Sequence, residues 1–256
     1  MAIKREDLVL GKSLGVVTLC INQPKTNVLD LDTCLELVEA LEILAAQNRA
    51  RVVILRGEGR CFSTGVDILQ HNPEVMPNLL PAFHQIFDSL LSLNAVTIAA
   101  VHGYCLGGAA ELAFACDRVI VEESAKIGFP EITVGCYPPV ALCLLPFRTN
   151  FGAAVKMLLS GESESPEQLA RWGLVDTVCA SGELDTALSR ELEGYADKSP
   201  AMLGITSSLL HQQARRGWAD QIGEFEQHYL STVLPHADAS EGIDAFLNKR
   251  KPYWCG

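Results

Sequence analysis

Apolar positions in the first half of the chain fall into short runs separated by periodic or polar segments. Residues 14–21 are rich in branched aliphatic side chains and end at Asn22-Gln23-Pro24-Lys25, the pattern of a strand closed by a polar turn. Over residues 31–46 the apolar positions Leu31, Leu35, Leu37, Val38, Leu41 and Leu44 recur at helical spacing, and Asp30 is placed to cap the first turn. Val52-Val53-Ile54-Leu55 reads as a short buried strand closed by Gly57-Glu58-Gly59. A loop over residues 61–67 follows, then a polar stretch with Pro73 and Pro77, a helix over 79–93 and a strand over 95–101. That strand runs into Gly103 and Gly107-Gly108, which open a helix over 109–116 and lead to a strand over 119–121. The alternation of strands and helices predicts an α/β fold with crossover connections.

From Gly152 onward the pattern is almost wholly helical. Ser165-Pro166-Glu167 reads as an N-cap followed by proline at the first helical position. A brief strand is expected over 173–178. Residues 183–248 read as a helical tail broken at Ser199-Pro200 and Leu234-Pro235. The expected division is a core of residues 1–198 and a helical C-terminal region of residues 199–256.

Charge and cysteines narrow the class. The net charge of -11 gives no long-range attraction for a polyanion, so nucleic acid is not expected as a partner, and an anion site must be a local basic patch. The nine cysteines are odd in number, show no CxxC spacing and sit mostly in apolar runs. They read as buried free thiols, which places the protein in a reducing compartment, the cytoplasm. Residues 1–10 lack the apolar core and cleavage site of a signal peptide. The longest apolar stretches stop short of the ~18–20 residues of a membrane span. The six histidines form no convincing ligand cluster, and no metal is expected.

Three segments carry candidate chemistry. In residues 101–111, Gly107-Gly108-Ala109-Ala110 joins a strand to a helix, and Glu111 lies one turn inside. Small residues let a ligand approach the backbone, and the free N–H groups of a helix start can hold an anion or a developing oxyanion. The bland alternative is a tight packing turn with a capping glutamate. In residues 127–132, Glu131 follows Pro130 among apolar neighbours; alone, it could be a surface loop acid. Two carboxylates in apolar settings can have their pKa values pushed apart into one acid and one base. The third segment is Phe62-Ser63-Thr64-Gly65-Val66-Asp67, a strand-exit loop whose backbone N–H can pair with one from Gly108 as an oxyanion hole.

Together and in this order, the FSxGxD loop (residues 62–67), the GGxxE turn (residues 107–111) and the PEI segment (residues 130–132) resemble the enoyl-CoA hydratase/isomerase, or crotonase, family. The resemblance extends upstream to Asn22-Gln23-Pro24-Lys25 with Asn27. It extends downstream to Leu159-Ser160-Gly161, residues 170–176, Glu241-Gly242 and residues 245–250. It implies a spiral of ββα units capped by a helical C-terminal region that drives trimerisation, giving a homotrimer or, where trimers pair, a hexamer. It also implies a lyase that adds water to, or removes it from, an unsaturated acyl-CoA, with no cofactor beyond the coenzyme A of the substrate. Carried over by motif, Glu111 and Glu131 are the catalytic carboxylates, and the N–H groups of Val66 and Gly108 are the oxyanion donors. Lys25, Thr64, Asp67, Gly107, Tyr137, Pro138 and Lys249 are candidate substrate contacts. For Asp67 the alternative is a turn cap, and for the Lys249-Arg250-Lys251 cluster an ordinary solvated charge run. His84 and His102 read as packing or pocket-lining residues.

The sequence departs from the usual hydratase pattern at Thr64, at Gly107-Gly108-Ala109 and at Tyr137-Pro138-Pro139. The Pro-Pro version, with His84 and the ending Lys249-Arg250-Lys251-Pro252-Tyr253-Trp254, looks like the cyclic dienoyl-CoA hydratases of anaerobic aromatic degradation. Other reactions of the family stay open: linear enoyl-CoA hydration, double-bond isomerisation and dehydration of a carrier-tethered acyl group. So does a non-enzymatic RNA-binding or scaffold role.

Overall fold

Alternation along the strands decides which residues face which layer. This computed structural model describes residues 1–10 and 14–256. Six strands form one sheet in the order β1 (Ile3–Leu10), β2 (Leu14–Ile21), β3 (Val52–Gly57), β4 (Val96–Val101), β6 (Arg118–Glu122), β9 (Thr177–Cys179). Only the β1–β2 pair is antiparallel; the others are parallel, joined by crossovers. Leu19, Leu55, Ala99 and Val119 lie opposite one another across four strands and join the main core. Their neighbours Val52, Ile54, Ile98 and Ile120 face the other way, onto Leu184, Leu188 and Leu192 of α7 (Leu184–Ala196). Both faces of the sheet are therefore covered, as parallel sheets require.

The main core is closed by α1 (Leu31–Gln47), α2 (Met76–Leu90) and α3 (Gly108–Ala115). Asp30 caps α1 as expected, its side chain accepting from Thr33 N. A small second sheet joins β5 (Tyr104–Leu106), β7 (Lys126–Gly128) and β8 (Ser163–Glu164). The rest of the chain is largely helical: α4 (Pro139–Arg148), α5 (Phe151–Ser160), α6 (Pro166–Arg171), α8 (Pro200–Ala219), α9 (Ile222–His228), a π turn (Tyr229–Val233) and α10 (Ala237–Leu247). Ser165 and Ser199 cap α6 and α8, whose first residues are the prolines.

Several elements differ from the sequence expectation, among them β1, α2, α4 and the short strands β5, β7 and β8. β1 was not expected, because Lys4, Arg5, Glu6 and Asp7 make it look like a charged tail. It is an edge strand, and exposed charges are how edges avoid further pairing. α2 begins at Met76 rather than 79, because Pro77 lies in its first turn, where its missing N–H costs nothing. α4 was missed because Pro138-Pro139 reads as a break, yet Pro139 is the first helical residue. Among the described residues no helix is long and apolar enough to cross a membrane, no group of three or more His, Cys, Asp and Glu side chains could hold a metal, and all nine cysteines are free thiols.

Candidate active site

The site grows from the exit of β4. After Val101 the chain turns at Gly103 into β5, and the loop after β3 runs beside it. Phe62 N donates to His102 O (2.8 Å), Ser63 N to Tyr104 O (3.1 Å) and Leu106 N to Ser63 O (3.3 Å). Asn27, buried and with a left-handed backbone, secures this loop from below. Its Nδ2 donates to Glu58 O and Cys61 O (both 2.9 Å), and its Oδ1 accepts from Gln23 N (3.0 Å). The loop therefore delivers Val66 against the start of α3: a Cβ placed on Gly108 would come within 2.9 Å of both Val66 Cγ2 and Phe83 Cζ. Among the described residues no hydrogen bond uses the N–H of Val66 or of Gly108. Two backbone donors are thus left side by side, the second at the positive end of a helix.

Glu111 follows one turn into α3 and is buried. Its Oε1 accepts from Ala141 N at 2.7 Å, so it faces the N-terminus of α4. Glu131 arrives from the other side. β5 and β7 pair in parallel, Gly107 N donates to Gly128 O (2.9 Å), and the chain then enters a 3₁₀ turn (Pro130–Val134) that carries Glu131. Gly107 has φ +54, and a Cβ there would collide with Glu131 Oε1. Glycine is needed at this position both for its backbone and for the carboxylate beside it. Glu131 Oε2 is buried with no hydrogen-bond partner among the described residues.

Burial, reinforced by the neighbouring Glu131, lifts the Glu111 carboxyl well above its ordinary range, against the opposing pull of the Ala141 N–H. Burial raises Glu131 from 4.5 to about 7. Two carboxylates that cannot both ionise in one apolar site keep a proton between them near neutrality. The arrangement can therefore take a proton from one atom and give one to another, next to two N–H donors suited to a developing oxyanion.

Both carboxylates open into one cleft. Thr64, Val66, Gly107, Gly108, Tyr137 and Pro138 line it too, so the cleft gathers eight of the eleven residues singled out from the sequence. The model of the family described as enoyl-CoA hydratase/isomerase matches residues 11–256.

The chain belongs to the enoyl-CoA hydratase/isomerase family.

Over 255 residues it is 34% identical to the 2,3-dehydroadipyl-CoA hydratase of Escherichia coli K12, covering 98% of this chain and 99% of that one. It is 29% identical to the cyclohexa-1,5-dienecarbonyl-CoA hydratase of Thauera aromatica, covering 96% and 95%. The fold is crotonase-like. It matches the enoyl-CoA hydratase of Mycobacterium avium subsp. paratuberculosis K-10 with a TM-score of 0.88 over 100% of this chain and 99% of that one, at 22% identity. As a member of this family the protein is a hydratase-type lyase of acyl-CoA thioesters.

Three singled-out residues lie outside the family cleft's lining. Asp67 caps the short turn Ile68–Gln70, accepting from Leu69 N at 3.0 Å. Lys25 is exposed on a left-handed turn whose next residue, Thr26, meets Thr64 through their hydroxyls (3.1 Å). Lys249 is exposed just past α10, its N–H donating to the carbonyl of Phe246, which does line the cleft. Arg250 is held by Glu241 and Asp244.

Sequence reasoning missed Phe83, His71, Pro139, Tyr229 and Phe246 as lining residues. Phe83 shares a helical face with Leu79, Leu80 and Phe87, a signal for burial but not for a cleft. His71 donates from Nδ1 to Asp67 O (3.0 Å), and burial lowers its pKa, so its ring stays neutral. His84 is outside the lining: it is buried in packing, with Nδ1 2.6 Å from Glu226 Oε2.

Proposed function

We propose that this hydratase acts on a compact, uncharged cyclic dienoyl thioester, cyclohexa-1,5-diene-1-carbonyl-CoA, in the anaerobic degradation of aromatic compounds. Glu111 and Glu131 hold the water between them. One carboxylate takes a proton from the water as its oxygen bonds to the ring, and the other returns a proton to carbon. The N–H groups of Val66 and Gly108 hold the thioester oxygen while it carries negative charge, and losing one such donor typically costs ~10²–10³ in rate. The reaction needs no cofactor beyond the coenzyme A of the substrate. Lys25 and Lys249 meet its phosphates near the cleft mouth.

The observation that carries this reading is the lining of the cleft. Among the described residues its titratable groups are the two glutamates, a neutral histidine, a cysteine and two tyrosines, with no lysine or arginine. A buried carboxylate without a partner is strongly disfavoured, so an acyl group ending in a carboxylate, as the name of the Escherichia coli relative specifies, is poorly served here. Flat apolar faces from Phe83, Tyr137, Pro138 and Pro139 suit a ring. The exposed apolar residues Met202, Ile205, Leu209 and Leu210 of α8 serve the contacts of a trimer or hexamer in the cytoplasm.

The test is the loss of enoyl ultraviolet absorbance with the cyclic dienoyl-CoA, crotonyl-CoA and 2,3-dehydroadipyl-CoA in parallel. Fast turnover of the cyclic diene is expected. Preference for the dicarboxylic substrate would overturn the uncharged-acyl reading, and preference for crotonyl-CoA would make the enzyme a linear-chain hydratase.

A further inference from the structure

The cleft has a wall that the carboxylate chemistry does not use. Residues 222–233 run along it, and there α9 widens into the π turn, closed by Leu234 N donating to Tyr229 O (2.8 Å). π turns are rare in helices and concentrate at functional sites. Of its five residues, Tyr229 alone is buried and alone lines the cleft. Its ring stands edge-on to Tyr137, with centroids 5.4 Å apart at 81°. Beyond Tyr137 the wall continues into Pro138 and Pro139, with Phe83 also on the lining. The Tyr229 hydroxyl sits beside the Cys136 thiol and near Glu131, and burial keeps the phenol protonated.

Two ties hold this segment against the cleft. The Tyr137 hydroxyl donates to Phe225 O at 2.8 Å. One residue further on, Glu226 Oε2 meets His84 Nδ1 at 2.6 Å, and the His84 ring stands edge-on to Trp218 (5.9 Å, 88°). Glu226 and Tyr229 are three positions apart and so share a helix face. Through them α2, which supplies Leu79, Leu80 and Phe83 to one side of the cleft, is linked to the residue that closes another.

We propose that Tyr229 is a specificity-determining residue of the acyl pocket, favouring a flat, compact acyl group over a flexible linear one, and that His84 and Glu226 are positioning residues that act through it. The proposal rests on the reading of this cleft as the acyl-CoA site. A rigid ring buries its faces against aromatic and proline surfaces without losing rotamers, whereas a linear chain must be ordered to fill the same space. A mismatch of one methylene in such a pocket is worth about 10–200-fold in kcat/KM.

The experiment compares kcat/KM for cyclohexa-1,5-diene-1-carbonyl-CoA and crotonyl-CoA in the parent, Tyr229→Phe, Tyr229→Ala, Glu226→Gln and the Tyr229→Ala/Glu226→Gln double variant. Loss of folded protein scales both substrates alike, so only the cyclic-to-linear ratio counts. Tyr229→Ala is expected to lower that ratio by about tenfold or more, and Tyr229→Phe to keep it within about twofold. Glu226→Gln should move it in the same direction as Tyr229→Ala and add nothing in the double variant, the mark of two residues acting through one effect. A parent that prefers crotonyl-CoA, or a Tyr229→Ala variant with the parent ratio, overturns the proposal while leaving a working hydratase. Silence of the parent with every acyl-CoA overturns the function, and the selectivity with it.

Discussion

The carboxylate wall of the cleft is assembled from residues 62–67, 107–111 and 130–136 and is held mainly by backbone hydrogen bonds, whereas the other wall comes from Tyr137, Pro138, Pro139 and residues 222–246 and is tied down by side chains. The first wall depends on positions where only one residue fits: Gly107 at φ +54 against Glu131, Gly108 against Phe83 and Val66, and Asn27 under the loop. The second depends on contacts that substitution can loosen one at a time. The proposed function puts the chemistry on the rigid wall and the substrate fit on the adjustable one, so the two should respond differently to mutation.

The largest effect is expected from the carboxylates. Glu111→Gln and Glu131→Gln each keep the shape and remove the proton traffic, and each should lower turnover by about 10²–10⁴. Acyl-CoA affinity measured by calorimetry should hardly change. Near-parent turnover in either variant would mean that the pair does not share the reaction. Next comes Gly107→Ala, which brings a methyl group into Glu131 Oε1 and strains the backbone at once. A loss of about 10²–10³ in kcat is expected from displaced donors and carboxylate, with the circular-dichroism spectrum unchanged. Parent-like rates would show that the first wall is less rigid than its hydrogen bonds suggest.

How much of each wall was legible in the sequence follows from the same contrast. Gly107, Gly108, Glu111, the loop over 62–67 and Pro130-Glu131 each read alone as an ordinary turn or loop, and it is their order, through the family resemblance, that points to one site. Their convergence needed the parallel β5–β7 pairing, and neither three-residue strand has a readable period. Pro138-Pro139 was noticed as a departure, but proline marks a helix start as readily as a break, so α4 and its Ala141 N–H contact to Glu111 were missed. Tyr229 was invisible. A π turn has no compositional signature, and Gln227-His228-Tyr229 reads as ordinary helix surface. Charged β1 was missed because edge strands carry the residues that other strands exclude.

The C-terminal region offers a test that leaves the chemistry alone. His211 on α8 is buried, with Nδ1 3.1 Å from Leu93 O and Nε2 2.9 Å from Asp117 Oδ1. Both partners are acceptors, so the ring donates twice and is an imidazolium. The Asp117 contact lifts its pKa above 6.5 despite burial. Its contribution is therefore fully present below about pH 6.5 and is lost as pH rises through the higher folded value. His211→Gln should cost about 2–4 kcal/mol at pH 6, since it leaves Asp117 short of its charge partner, and less at pH 9. Urea unfolding at both values measures this. A cost that does not shrink at pH 9 would mean that the ring is neutral.

The smallest expected effect runs the other way and returns to the first wall. In the unfolded chain Glu131 titrates near 4.5, and burial in the folded protein lifts it to about 7. Between these values the folded state holds a proton that the unfolded state has released, so stability falls as pH rises across that window. Glu111, lifted in the same direction, extends the decline upward. Glutamine carries no such proton. Glu131→Gln should therefore match the parent near pH 4 and exceed it by about 1–2 kcal/mol at pH 7.5, a gain in stability at the position where activity is lost. Unfolding midpoints at pH 4, 6 and 7.5 give the slope directly. A variant less stable than the parent at pH 7.5 would mean that Glu131 is ionised and partnered in the folded protein, and a carboxylate so satisfied has no reason to share a proton with Glu111.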